Sequence, residues 1–136
     1  MTDIVLAIVG SRTFKDYDLM DATLGRVNSN IVKVVSGGAK GADRLGAVWA
    51  KKHGILVDEY IPNWSMYGKS AGFKRNQSIV DASDALMAFW DGTSKGTKHS
   101  IDLAKKKGIP YHIVRFDLIE DESDVQGTMF KKGKLA

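Results

Sequence analysis

Three short segments of this chain combine glycine, hydroxyl and cationic residues in a pattern suited to holding an anion. The first is Gly10-Ser11-Arg12, directly after an apolar run. Glycine lets the main chain approach a ligand, Ser11 offers a hydroxyl, and Arg12 presents a fork of N–H donors that matches phosphate or carboxylate. The second is Ser36-Gly37-Gly38-Ala39-Lys40-Gly41-Ala42-Asp43, after another apolar run. Gly37, Gly38 and Gly41 lead into a helix whose first N–H groups form a phosphate cradle, and Lys40 adds a point charge. Asp43 falls in that helix's first turn, where a carboxylate caps the helix or meets a ribose hydroxyl. The third, Trp90-Asp91-Gly92-Thr93-Ser94-Lys95-Gly96-Thr97, repeats the design. Here Gly92, Lys95, Gly96 and Thr97 are the candidate anion contacts. Trp90 either stacks on a base or packs beneath its loop, and Asp91 either holds a hydroxyl or braces the loop. Neither glycine segment is the dinucleotide fingerprint or the P-loop, since the required spacing and the Gly-Lys-Ser/Thr triplet are absent.

A fourth segment, Pro62 to Lys69 followed by Ala71 to Asn76, is rich in aromatic and polar groups. Arg75 and Asn76 fall near a helix start and, with Trp64 and Tyr67, are placed to enclose a ligand. The candidate acid–base groups are Asp43, Asp91 and His99. Facing each other, the two aspartates could also hold Mg²⁺ accompanying a nucleotide; no resident cofactor is called for. His53, His99 and His112 lack metal-ligand spacing, so no metal site is expected. Ser11 and Ser36 lack an evident His–Asp partner, and the absence of cysteine excludes disulfides and thiol chemistry.

Positioning these segments requires a particular set of elements. Five β-branched-rich runs recur along the chain: Ile4 to Val9, Ile31 to Val35, Ile55 to Tyr60, Ala85 to Phe89 and Tyr111 to Val114. They are nearly continuous in apolar character, as strands buried on both faces must be. Between them lie segments of helical period: Tyr17, Met20, Leu24 and Val27; Leu45, Val48, Trp49 and Lys52; Phe73, Asn76 and Val80, more weakly; and Thr97, Ile101 and Ala104. Gly54 and Gly108 follow lysine-rich helix ends, where glycine closes a helix at little cost. The alternation predicts an α/β fold, a Rossmann-like three-layer α/β/α sandwich with a parallel five-stranded sheet. The order 3-2-1-4-5 brings the polar loops together at the crevice where strand order reverses. Lys40-Gly41 and Lys95-Gly96 open similar segments that run to Gly54-Ile55 and Gly108-Ile109, so one βα unit reads as used twice.

The chain has 136 residues, 43% hydrophobic and 26% charged, which suits one domain over residues 1–116 with a distinct tail over 117–136. The tail is acidic at Glu120 to Asp124 and basic at Lys131 to Lys134. The net charge of +4 comes from dispersed lysines, which favours a solvated basic surface over a nucleic-acid footprint. No stretch has the length of a membrane span and no secretory signal is evident, so a cytoplasmic, membrane-free protein is expected.

The motif set resembles the YspA-like branch of the SLOG superfamily. Gly10-Ser11-Arg12 with Phe14, the Ser36 to Asp43 segment, Tyr67-Gly68-Lys69, Ala71-Gly72, Arg75-Asn76, and Phe89 to Gly92 with Lys95-Gly96-Thr97 carry the likeness over about residues 4–115. It implies a Rossmann-like domain, bacterial or from a phage, that binds a nucleotide or nucleotide-derived molecule. It also implies a homo-oligomer. Related branches include the LOG-type phosphoribohydrolases and the DprA-type DNA-binding proteins. These leave two further readings, a hydrolase or transferase acting on the ligand and a single-stranded nucleic-acid binder. The LOG-type catalytic glutamate, three residues after the loop threonine, corresponds here to Ser100, which argues against that route to glycosidic cleavage.

Overall fold

The apolar runs pair as expected. In the computed structural model, which describes residues 2–118, they form β1 (Asp3–Gly10), β2 (Asn30–Ser36), β3 (Leu56–Glu59), β4 (Ala85–Trp90) and β5 (Tyr111–Arg115). All neighbours are parallel and the order is β3-β2-β1-β4-β5. The helices are α1 (Tyr17–Leu24), α2 (Ala42–Lys52), α3 (Trp64–Tyr67), α4 (Ala71–Asp81) and α5 (Lys95–Lys107).

Strand periodicity of two divides the core between two faces. Ile4, Leu6 and Ile8 of β1 pack with Met20 and Leu24 of α1 and Trp49 of α2. Ala7 and Val9 point the other way, against Ile79 and Val80 of α4 and Ile101 and Ala104 of α5. The sheet is thus the middle of three layers. In register, Gly10 lies beside Phe89 and Trp90 beside Arg115, so the carboxyl ends of β1, β4 and β5 come level on one edge. That edge carries the polar loops.

Four details depart from the sequence reading. Helix α1 stops at Leu24, so Val27 packs on the core from beyond the helix. Val48 and Phe73, placed on buried helical faces, are exposed. Strand β3 is two residues shorter than the apolar run, as befits an edge strand with unpaired backbone on one side. The stretch from Trp64 to Ser70, expected as a loop, winds into α3 and a 3₁₀ turn, with the Asn63 side chain capping α3 by accepting from Met66 N at 3.1 Å. The proposed tail lies outside the described residues beyond Leu118.

Helices α4 and α5 are joined by a single ammonium group. Lys107 Nζ donates to the carbonyls of Val80 and Asp81 at 3.0 Å and of Ser83 at 3.2 Å, adding a cation to the C-terminal end of α4, where the Val80 carbonyl also accepts from Ser83 N at 3.1 Å. Lys107→Met keeps the stem but removes the three donors. It is expected to cost about 1–2 kcal/mol, read as a lower urea midpoint with an unchanged slope.

Candidate functional site

The loops following β1, β2 and β4 and the helices α4 and α5 line a cavity of about 350 Å³; Arg75 and Asn76, expected near a helix start, lie in the second turn of α4. Of the residues expected there, Gly10, Arg12, Ala39 and Asp43 line it from the β1 and β2 side. Arg75 and Asn76 line it from α4, and Asp91, Gly96 and Thr97 from the β4 loop and α5.

Ser11 is the knot of this arrangement and is buried. Its N–H donates to Phe89 O at 2.9 Å, its Oγ accepts from Asp91 N at 3.0 Å, and its carbonyl accepts from Phe14 N and Ala42 N, both at 3.2 Å. It ties three loops together and does not line the cavity. The crossing demands glycine at 41. Gly41 has φ of 79°, and a Cβ there would collide with the Ser11 carbonyl oxygen and lie 2.6 Å from the carbonyl carbon and oxygen of Arg12.

The amides of the β2 loop do not all await a guest. Asp43 Oδ2 accepts from Ala39 N at 3.2 Å, and its carboxylate packs against Gly37. The aspartate expected to cap α2 instead reaches back and fills the loop that precedes it. In the β4 loop, Asp91 Oδ1 accepts from Thr93 N, Thr93 Oγ1 and Ser94 N at 2.8–3.1 Å, and Ser94 Oγ caps Thr97 N at 3.4 Å. What stays open is at the helix starts. No side chain caps α2, which leaves the amides of Asp43 and Arg44, and the Ser94 cap leaves those of Lys95 and Gly96. The expected cradle is therefore narrower than the glycine count suggests.

Charge in the cavity is mixed. The Arg75 guanidinium donates from Nη1 to Gly37 O at 2.7 Å and from Nε to Asn76 Oδ1 at 3.0 Å. Burial lowers its pKa, Asp43 opposes that shift, and Arg12 lowers it further by like-charge repulsion. Arg12 has no carboxylate partner among the described residues. Burial pushes the Asp43 carboxyl up to about 6, despite the amides of Ala39 and Gly37 and the charge of Arg75, all of which favour its ionised form. Asp91 is held below the usual carboxylate range by its loop amides. His99 is lowered by burial; its Nδ1 lies 3.2 Å from Asn76 Nδ2 and its ring is edge-on to Phe73. It braces Asn76 and is not itself in the cavity lining. No group of three or more His, Cys, Asp or Glu comes together among the described residues.

Sequence comparison matches this arrangement to known proteins. The family model "YspA, cpYpsA-related SLOG family" matches residues 4–67, which carry the Gly10-Ser11-Arg12 and Ser36 to Asp43 loops. The "Gene 61 protein" of Mycobacterium phage D29 is 39% identical over 113 residues, covering 76% of this chain and 90% of the phage protein. This chain belongs to the YspA, cpYpsA-related SLOG family. Among solved structures, this SLOG chain is similar to DNA processing protein A (DprA) from Streptococcus pneumoniae, with a TM-score of 0.67 and 16% identity. The match covers 91% of this chain and 54% of that protein, so the SLOG chain spans about half its length.

Several residues expected at the SLOG site stand elsewhere. Trp90 lies on the α4–α5 face, where its Nε1 donates to Ser94 O at 3.0 Å and Arg115 covers its ring, so it packs beneath the loop and does not line the cavity. Gly92 is occupied by the same guanidinium, which a Cβ there would strike. Gly37 is packed against Arg75 and Asp43 and Gly38 against Ile61, while Lys95 is exposed; none of them lines the cavity. Lys40 and Gly41 line a neighbouring cleft instead. Trp64 and Tyr67 are exposed and outside the lining. The reading missed Thr13, Ile79, Ser94 and Ser100, which do line it. Helical spacing could have found Ser100, which shares a face of α5 with Gly96 and Thr97. Ser100 thus occupies a lining position with a hydroxyl where a carboxylate acid would be needed.

Proposed function

We propose that the chain binds a nucleotide or nucleotide-derived small molecule in the cavity between the β1, β2 and β4 loops, with an anionic group against Arg12 and Arg75. One observation carries this reading: the guanidinium groups of Arg12 and Arg75 line one cavity, and Arg12 has no carboxylate partner among the described residues. Two cations lining one cavity favour an anion between them. A phosphoryl group is the anion that two arginines bind with most geometric specificity. The open amides at the starts of α2 and α5 add donors at the same end of the sheet. Membership of the SLOG family supports the same ligand class.

A second reading has its own support. A carboxyl with a pKa of about 6 inside a ligand-sized cavity is poised to give or take a proton near neutral pH, so Asp43 could serve a hydrolase or transferase. Incubating the pure protein with a nucleotide panel, with calorimetry for binding and mass spectrometry for turnover, separates the two. The binding reading expects heat from at least one nucleotide and its return intact after denaturation. Arg12→Ala should weaken that binding about tenfold or more, since a charge-assisted contact is lost, with little change in thermal stability because Arg12 is exposed. Unchanged affinity in Arg12→Ala would remove the basis of the proposal.

A further inference from the structure

Arg12 stands between two cavities. Arg12 also lines a second cleft of about 290 Å³, which has Phe14 and Leu45 as its apolar lining and Lys15, Lys40 and Arg44 as its other cations. The lining contains four cations and no carboxylate. None of the four has a carboxylate partner among the described residues. Several other surface cations of this chain are provided for. Lys33, Lys98 and Arg115 each pair with an aspartate, Lys107 takes three carbonyls, and Lys52, Lys74 and Lys105 lie over aromatic rings. The cluster also surrounds the start of α2, whose N-cap Gly41 offers no capping side chain. Four cations around one cleft, none paired with a carboxylate, make it a favourable place for a polyanion.

We infer that this cleft is a second phosphate subsite, and that the ligand carries two phosphoryl groups, one on either side of Arg12. The ligand class is then a nucleoside diphosphate or bisphosphate, or a derivative built on one, rather than a nucleoside monophosphate. This inference rests on the proposed nucleotide site for its first phosphate, whereas the second subsite stands on its own cations. Arg12 is the only guanidinium lining both cavities, so its five donors are available to both groups. Lys15, Lys40 and Arg44 are exposed, so their replacement leaves the core untouched.

The test is calorimetry on the full chain with AMP, ADP, adenosine 3′,5′-bisphosphate and inorganic tripolyphosphate, for the native protein and for the double variant Lys40→Gln/Arg44→Gln. The native protein is expected to bind ADP or the bisphosphate about tenfold or more tightly than AMP. The double variant should lose that margin while its AMP affinity stays within about twofold. Whichever of the two adenosine probes shows the margin distinguishes adjacent from separated phosphates. A margin that survives in the double variant, or AMP binding that falls in step with it, would overturn the second subsite and leave the nucleotide site standing. If AMP does not bind but tripolyphosphate binds and is lost in the double variant, the nucleotide site fails and the subsite stands. No tripolyphosphate binding together with equal affinity for all three nucleotides refutes the inference outright.

Discussion

Gly41→Ala is expected to lower the melting temperature by about 10–20 °C, the loss of roughly 3–5 kcal/mol in a domain of this size. The added methyl has nowhere to go. At φ of 79° an L side chain is already strained, and the Cβ would run into the carbonyl oxygen of Ser11 and to 2.6 Å from Arg12. Ser11 cannot retreat, since its amide is bonded to Phe89, its hydroxyl to Asp91 and its carbonyl to Phe14 and Ala42. The loss is a large share of the total stability of a typical domain, about 5–15 kcal/mol. Gly72→Ala is the control: its Cβ would meet only Trp64, at 3.7 Å, inside α4, and alanine there should be neutral or stabilising by up to about 1 kcal/mol. Circular dichroism melts of both variants decide the matter. Equal melting temperatures for the two would mean that the β1 and α2 backbones do not cross as closely as described.

Asp43→Asn is expected to abolish a pH dependence of both stability and ligand binding. The folded pKa of about 6 lies above the ordinary 3.8, so the folded protein holds this proton more tightly than the unfolded chain. The associated stability is fully present below about pH 4 and is lost as pH rises through about 6, with a total of up to about 3 kcal/mol. Asparagine resembles the protonated acid, so the variant's urea midpoint should stay level between pH 5 and 8 where the native protein's falls. An anion bound at Arg12 and Arg75 raises the Asp43 pKa again by repulsion, adding to that already exerted by Glu59. A phosphodiester nucleotide keeps one charge over this range. Its affinity for the native protein should rise about tenfold from pH 8 to 5, and stay flat for the variant. Parallel pH profiles for the two proteins in calorimetry would show that Asp43 neither faces the anion nor titrates in this range.

The sheet and its order were legible because strands covered on both faces leave continuous apolar runs, and because the polar loops had to meet at one edge. That the β1, β2 and β4 loops meet around one cavity was legible for the same reason. Which side chain points where was less so. Trp90 follows Leu86 and Ala88 with period two, so parity alone assigns it to the α4–α5 face and not to the crevice. Asp43 looked like a helix cap because first-turn carboxylates usually are. Its reach back to Ala39 and Gly37 depends on the curl of a glycine loop, which one-dimensional spacing does not encode. Lys40 lies beside Ala39 in sequence but lines a different cleft, since successive residues of a tight turn diverge. The similarity of the segments after Lys40 and Lys95 also ends at the helix starts: Gly41 is itself the cap of α2, whereas Ser94 caps α5 and Gly96 lies inside it.

The web of bonds at Ser11 has a kinetic corollary. Because one residue fastens the β1 loop to the segments after β4 and before α2, the walls of the cavity are already assembled before any molecule arrives. In the binding proposed above, little entropy would then be lost in shaping the receptor, capture would be governed by diffusion and attraction, and discrimination between related guests would fall to how long each one stays.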